Sequence, residues 1–191
     1  VHEIDASLLE GLWQQDKRAE IVRAGIADAN APEFGDLDDE EGFSLDVRFT
    51  LPTMGHHVLI DLRGVDGKGL LLTFENDTLE LKATTDKQET AWACDPGLFQ
   101  AGQKHHAVIT ADGGPGILSW IVDGILCDGV HQRVRGWQRF RVPTNKQSTL
   151  GEAARIASGK RLKTGASVHQ ARIYTRALRT SEAISNYRSG R

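Results

Sequence analysis

Val168-His-Gln-Ala-Arg-Ile-Tyr-Thr-Arg-Ala-Leu-Arg-Thr-Ser-Glu-Ala-Ile-Ser-Asn-Tyr187 runs from a β pattern straight into a helical one. Ala171 and Ile173 alternate with Arg172 and Tyr174, as a strand with one buried face requires. Thr180 or Ser181 then offers a hydroxyl to the free N–H groups of a new helix, and Glu182 places negative charge at its positive end. Ala183, Ile184 and Tyr187 form a small apolar stripe, enough to dock one or two turns on a larger body but not to hold a helix alone.

Upstream, 43–51 is the clearest strand. Phe43, Leu45, Val47, Phe49 and Leu51 face one way and Ser44, Asp46, Arg48 and Thr50 the other, so one face is core and the other solvent or ligand. Residues 57–63 repeat the pattern, with Val58, Ile60 and Leu62 inward and Leu59, Asp61 and Arg63 outward. Segments 70–74 and 78–83 flank Glu75-Asn76-Asp77, a polar break suited to a hairpin. Segments 104–111 and 117–127 flank Asp112-Gly-Gly-Pro-Gly116, and Val122-Asp-Gly124 marks a further reversal. Loops are expected at 30–41, which is acidic, and at 142–148, where Pro143 stands near the start. Short strands separated by turn chemistry, with almost no helix before Thr180, predict an all-β fold: an antiparallel β-sandwich or jelly roll with a short C-terminal helix.

The 191 residues fit one domain spanning 1–191, with no Pro-, Gly- or Ser-rich linker and no internal repeat. A net charge of −3 gives no electrostatic reason to bind nucleic acid or an anionic membrane. No apolar run reaches the length of a membrane span. The start, Val1-His-Glu-Ile-Asp, lacks the basic and apolar regions of a signal peptide, so a mature or excised segment of a larger protein is expected. Cys94 and Cys127 each precede an aspartate at a strand–turn junction and fit either one disulfide or two buried thiols.

Lys104-His-His-Ala-Val-Ile-Thr, Val122-Asp-Gly124 and Ala171-Arg-Ile-Tyr-Thr-Arg-Ala-Leu-Arg-Thr-Ser-Glu-Ala183 together resemble the concanavalin A-like, laminin-G-like jelly rolls. In that family a histidine-bearing strand, a "VDG" hairpin and an "R-I-Y-x-R-A-L" closing strand follow in this order. The likeness covers the chain from about Phe43 onward. The segments Trp92-Ala-Cys-Asp-Pro-Gly, Asp123-Gly-Ile-Leu-Cys-Asp-Gly and Gly136-Trp137 are closer to modules attached to bacterial polysaccharide-degrading enzymes, with family 66 carbohydrate-binding modules, which bind fructans, the nearest comparison. The resemblance implies a secreted, extracellular or periplasmic, carbohydrate-binding module beside a catalytic domain. It also implies calcium as the cofactor such folds most often carry. Asp28, Asn30, Asp36, Asp38 and Asp39 could supply oxygens, although a solvated acidic loop is an equal alternative.

A sugar needs an aromatic platform for its C–H face and charged or amide groups for its hydroxyls. Trp92 and Trp137 lie in loop-like stretches, where a platform and an aromatic at the rim of the core are equally good readings, with Asp95 and Arg139 close by in sequence. Trp120 reads as core, and nothing places Trp13. Asp61 and Arg63 share a strand face and could grip vicinal hydroxyls or form a solvated ion pair; Asp46 and Arg48 have the same spacing and the same two readings. Arg172 and Tyr174 could reach a ligand from the outer face of the closing strand. The adjacent histidines of His56-His57 and His105-His106 point to opposite faces, so neither pair chelates one ion, and His106 is expected to pack or bond inside the sandwich. No residue is assigned a catalytic role. The expected function is polysaccharide binding without turnover, the alternatives being a catalytic jelly roll and a laminin-G-like structural or protein-interaction module.

Overall fold

The computed structural model describes residues 37–129, 137–141, 148–159 and 162–190, together with the backbone of 19–23. Its strands are β1 (Ala19–Arg23), β2 (Phe43–Thr50), β3 (His57–Arg63), β4 (Gly69–Glu75), β5 (Thr78–Thr84), β6 (Glu89–Ala93), β7 (Lys104–Asp112), β8 (Ile117–Val122), β9 (Ile125–Leu126), β10 (Gln138–Arg139), β11 (Lys163–Thr164) and β12 (Val168–Tyr174). Two helices are described, α1 (Thr149–Ala157) and α2 (Thr180–Ser189). The strands form two antiparallel sheets, one ordered β1-β12-β2-β7-β8-β10 with β9 also on β8, the other β11-β3-β4-β5-β6. The fold is a β-sandwich with a C-terminal helix.

Alternation explains the core. Leu45 pairs with Ile109 and Ile173 pairs with Leu45, all facing the second sheet, where Leu72 lies between Ile60 and Leu81. These side chains belong to one continuous buried cluster together with Trp120, which is fully buried. The β4–β5 turn places Asn76 and Asp77 at φ of 50° and 63°, the left-handed pair a two-residue hairpin demands and that Asn and Asp tolerate best. Asp123 and Gly124, at 49° and 78°, make the same kind of turn between β8 and β9.

Two expectations need correction here. Leu59 does not face out: a bulge between Val58 and Ile60 lets Leu59 and Ile60 both enter the core. Nor is the chain before Thr180 almost free of helix, since α1 closes part of the core with Leu150, Ala153, Ala154 and Ala157 and touches β3, β4, β5 and β6. Ser148 caps α1, its hydroxyl accepting the Gly151 N–H at 2.9 Å and donating to Asp39 at 2.6 Å. Gln88, in the β5–β6 turn, donates to Thr149 and anchors the start of the helix.

Candidate functional site

The outer face of β2, open in the sequence reading to solvent or ligand, is covered by α2. Ala183 and Ile184 pack on Val108, Ile121, Tyr174 and Leu178, and beneath the helix lies a buried polar network. The Asp46 carboxylate, 1% exposed, lies 2.8 Å from His106 Nε2 and accepts the Asn186 amide N–H at 3.0 Å. Arg172 Nη1 stands 3.8 Å from Asp46, and Arg48 donates to the carbonyl of Asn186 near the end of α2. Burial pushes the Asp46 carboxyl up, but the His106 bond and the charges of His106, Arg172 and Arg48 outweigh it and hold it below the usual range. Tyr187 stacks on the His106 ring at 6.0 Å.

Tyr174 is therefore not a ligand-facing residue. It is 2% exposed, its hydroxyl accepts from Asn186 at 3.3 Å, and burial, reinforced by the Asp46 charge, drives its pKa well up. His106 bonds under α2 on the outer face of the first sheet, not inside the sandwich. The closing motif also caps differently from expectation. Thr180 is already helical, Arg179 holds the cap position, and Glu182 accepts the Arg179 N–H at 2.8 Å while pairing both oxygens with Arg176 at 3.0 Å.

His105 points the other way, toward Phe49 and Phe99. Its Nδ1 lies 2.8 Å from Asp123 Oδ2, while Asp123 Oδ1 accepts the His106 backbone N–H at 2.8 Å. The histidine strand and the Val122-Asp-Gly124 turn are thus one clasp, in which the aspartate satisfies a ring and a backbone donor together. That bond to Asp123 raises the His105 pKa.

The remaining candidates are scattered over the two sheets. Arg63 grips Asp61 through Nε and Nη2, each at 2.9 Å, and through its own backbone N–H at 3.0 Å. This carboxylate is already occupied, an arrangement that matches the ion-pair reading. Trp92 is 5% exposed, a core residue whose ring has no open face. Asp95 is 4% exposed and its carboxylate accepts the backbone N–H groups of Asp128 and Gly129 at 3.2 and 3.0 Å, which makes it a tie between β6 and the chain after β9. Cys94 and Cys127 are free, buried thiols. Of the acidic set, Asp28, Asn30 and Asp36 lie outside the described residues, as does Trp13. Asp38 accepts the Glu40 N–H, and Asp39 is buried against Ser148. Among the described residues no three His, Cys, Asp or Glu side chains gather as metal ligands.

Trp137 and Arg139 differ from all of these. Among the described residues Trp137, 50% exposed, is the one large aromatic side chain left open. In the β10–β8 register Gln138 faces Leu118 and Arg139 faces Ile117. Leu118 points into the core, so Arg139 stands on the outer side, and Trp137 lies directly before the strand that carries it. Arg139 Nη1 donates to the Pro115 carbonyl at 3.4 Å, and no carboxylate among the described residues pairs with it. An open indole close to an exposed guanidinium can take the apolar face of a ring and bond its substituents. Ile125 and Leu126, also exposed, continue the same sheet edge on β9.

No protein-family model matches the chain, and no curated protein matches it in sequence. Its fold is similar to that of the receptor binding domain of botulinum neurotoxin D, at 10% identity and a TM-score of 0.54 over 90% of this chain and 41% of that one. It is likewise similar to the receptor binding domain of the botulinum neurotoxin C/D mosaic serotype, at 9% identity and 0.53 over 89% and 46%. NanB, solved with Optactamide, matches at 12% identity and 0.51 over 74% of this chain and 23% of that one. The chain thus spans less than half the length of each of these proteins, and what it shares with them is a β-sandwich fold.

Proposed function

We propose that this β-sandwich is a non-catalytic carbohydrate-binding module whose binding surface is the edge carrying Trp137 and Arg139. The observation that carries this reading is the open indole of Trp137 close to an exposed guanidinium that no carboxylate among the described residues pairs, in a molecule whose other described tryptophans are buried. The shared fold lends support: a botulinum neurotoxin type C among the similar structures depends for cell entry on interaction with two ganglioside molecules. Attachment to a glycoside hydrolase, secretion, a calcium ion and a fructan or other plant or algal glycan as ligand are finer parts of the same proposal. In that setting the module raises the local concentration of its attached enzyme on a polysaccharide.

The test is a glycan array followed by calorimetry on the strongest hits. Saturable binding is expected, weakened at least tenfold by Trp137→Ala and unaffected by changes at Asp61 or Arg63; tenfold corresponds to about 1.4 kcal/mol. Flat titrations across the array sink the proposal. The exposed Ile125 and Leu126 on the same edge favour a protein-interaction module as the second reading, which predicts no glycan binding and self-association or partner capture lost on Ile125→Ser.

A further inference from the structure

We propose that Cys94 and Cys127 form a redox-closable staple that joins the two sheets at one edge of the sandwich. The inference is independent of the sugar-binding reading.

Cys94 directly follows β6, the edge strand of the second sheet, and its backbone N–H bonds the Leu79 carbonyl at 3.0 Å. It thus continues the inward set of Leu81 and Trp92. Cys127 directly follows β9, on the outer side of β8 in the first sheet, and its N–H bonds the Trp120 carbonyl at 2.9 Å, placing it on the inward side with Trp120. The two thiols therefore enter the core from opposite sheets. What brings the strands together is Asp95: its carboxylate takes the N–H groups of Asp128 and Gly129, so the residue after one cysteine is bonded to the residues after the other. Each thiol is almost fully buried, and their mutual repulsion if ionised is one cause of the raised Cys94 pKa, as expected of close neighbours. Burial above all pushes Cys127 up to about 11, which keeps both thiols protonated and unreactive once the sandwich has closed.

Oxidation needs a disulfide donor, for which glutathione disulfide serves. During folding, one cysteine thiolate attacks a glutathione sulfur and expels a glutathione thiolate, leaving a mixed disulfide. The second cysteine thiolate then attacks the protein sulfur of that mixed disulfide and expels the second glutathione. Both protein protons end on glutathione, two reduced glutathiones are released, and the protein has lost two hydrogens.

The full chain is to be unfolded, refolded with either reduced glutathione or glutathione disulfide, then denatured and treated with iodoacetamide before mass measurement. After oxidative refolding the expected species is a monomer with no alkylated cysteine and a Tm above that of the reduced chain. The reduced chain resists alkylation while native and takes up two labels when denatured. C94S and C127S are expected to fold and to lose the redox dependence of Tm. Two labels after oxidative refolding, a disulfide-linked dimer, or an oxidised monomer whose Tm lies below that of the reduced chain each overturn the proposal.

Discussion

Gly151 shows how one residue can set local propensity against packing. It lies within the first turn of α1, where alanine stabilises a helix by about 1 kcal/mol over glycine. A Cβ at this position would overlap the Asp39 carboxylate, a buried group held by the Ser148 hydroxyl and 3.8 Å from both Arg141 and Arg155. Moving that carboxylate breaks the bond it accepts from the capping Ser148 hydroxyl, a loss of about 1–3 kcal/mol that exceeds the propensity gain. Gly151→Ala is therefore expected to lower stability in urea titrations, and to do so much less in an Asp39→Ala background; equal effects in the two backgrounds would rule out the clash as the cause. At this scale the sequence misleads about burial. Trp92, next to Cys-Asp-Pro-Gly, reads as a loop tryptophan, yet it sits opposite Leu81 in an edge strand that turns its ring to the core. Trp137 has the same local signature and stays open, since it lies before β10 and not within a strand whose inward side it would share.

At the level of elements, α2 decides what the outer face of the first sheet can do. The alternation of β2 correctly divides Leu45 and Val47 from Asp46 and Arg48, but two-residue periodicity says only that there are two faces. It does not reveal that a later helix covers the polar one. A signal was present, since Asn186 and Tyr187 stand in the last turns of α2 and a polar network needs such partners. α1 was also legible in principle: Leu150, Ala153, Ala154 and Ala157 recur at helical spacing behind a serine cap, but the stripe is small and mostly alanine. Asn186 carries the junction of α2 with the sheet, its amide donating to Asp46 and facing the Tyr174 hydroxyl. Asn186→Ala leaves buried acceptors short of a partner and is expected to cost about 1–3 kcal/mol, whereas Tyr174→Phe, which keeps the Asp46 contact, should cost only about 1 kcal/mol. Equal losses in thermal unfolding would show that the amide's bond to Asp46 contributes nothing beyond its bond to tyrosine.

Across the whole molecule, these networks imply a stability curve with two limbs. Asp46, Asp61 and Glu182 all have folded pKa values held down, in each case by hydrogen bonds and nearby positive charge that outweigh burial. Their contribution is complete above the unfolded carboxylate values near pH 4 and is lost as pH falls through the folded values. His105 has the opposite sign. Its folded pKa is raised, first by the Asp123 bond, so its contribution is complete below about pH 6.5 and disappears as pH rises through the folded value. Maximum stability is thus expected between about pH 4.5 and 6.5, with the alkaline limb belonging to the clasp between the histidine strand and the β8–β9 turn. The buried thiols add their own loss at higher pH, where unfolded cysteine ionises at about 8.5, so the measurement is best confined to about pH 2–8. Asp123→Asn removes the charge that raises His105 and should give a lower curve that stays flat from pH 6 to 8, with the acid limb unchanged. Denaturant midpoints across that range decide the matter: an alkaline decline that survives in Asp123→Asn means that the turn aspartate orients the strand without controlling the titration of His105.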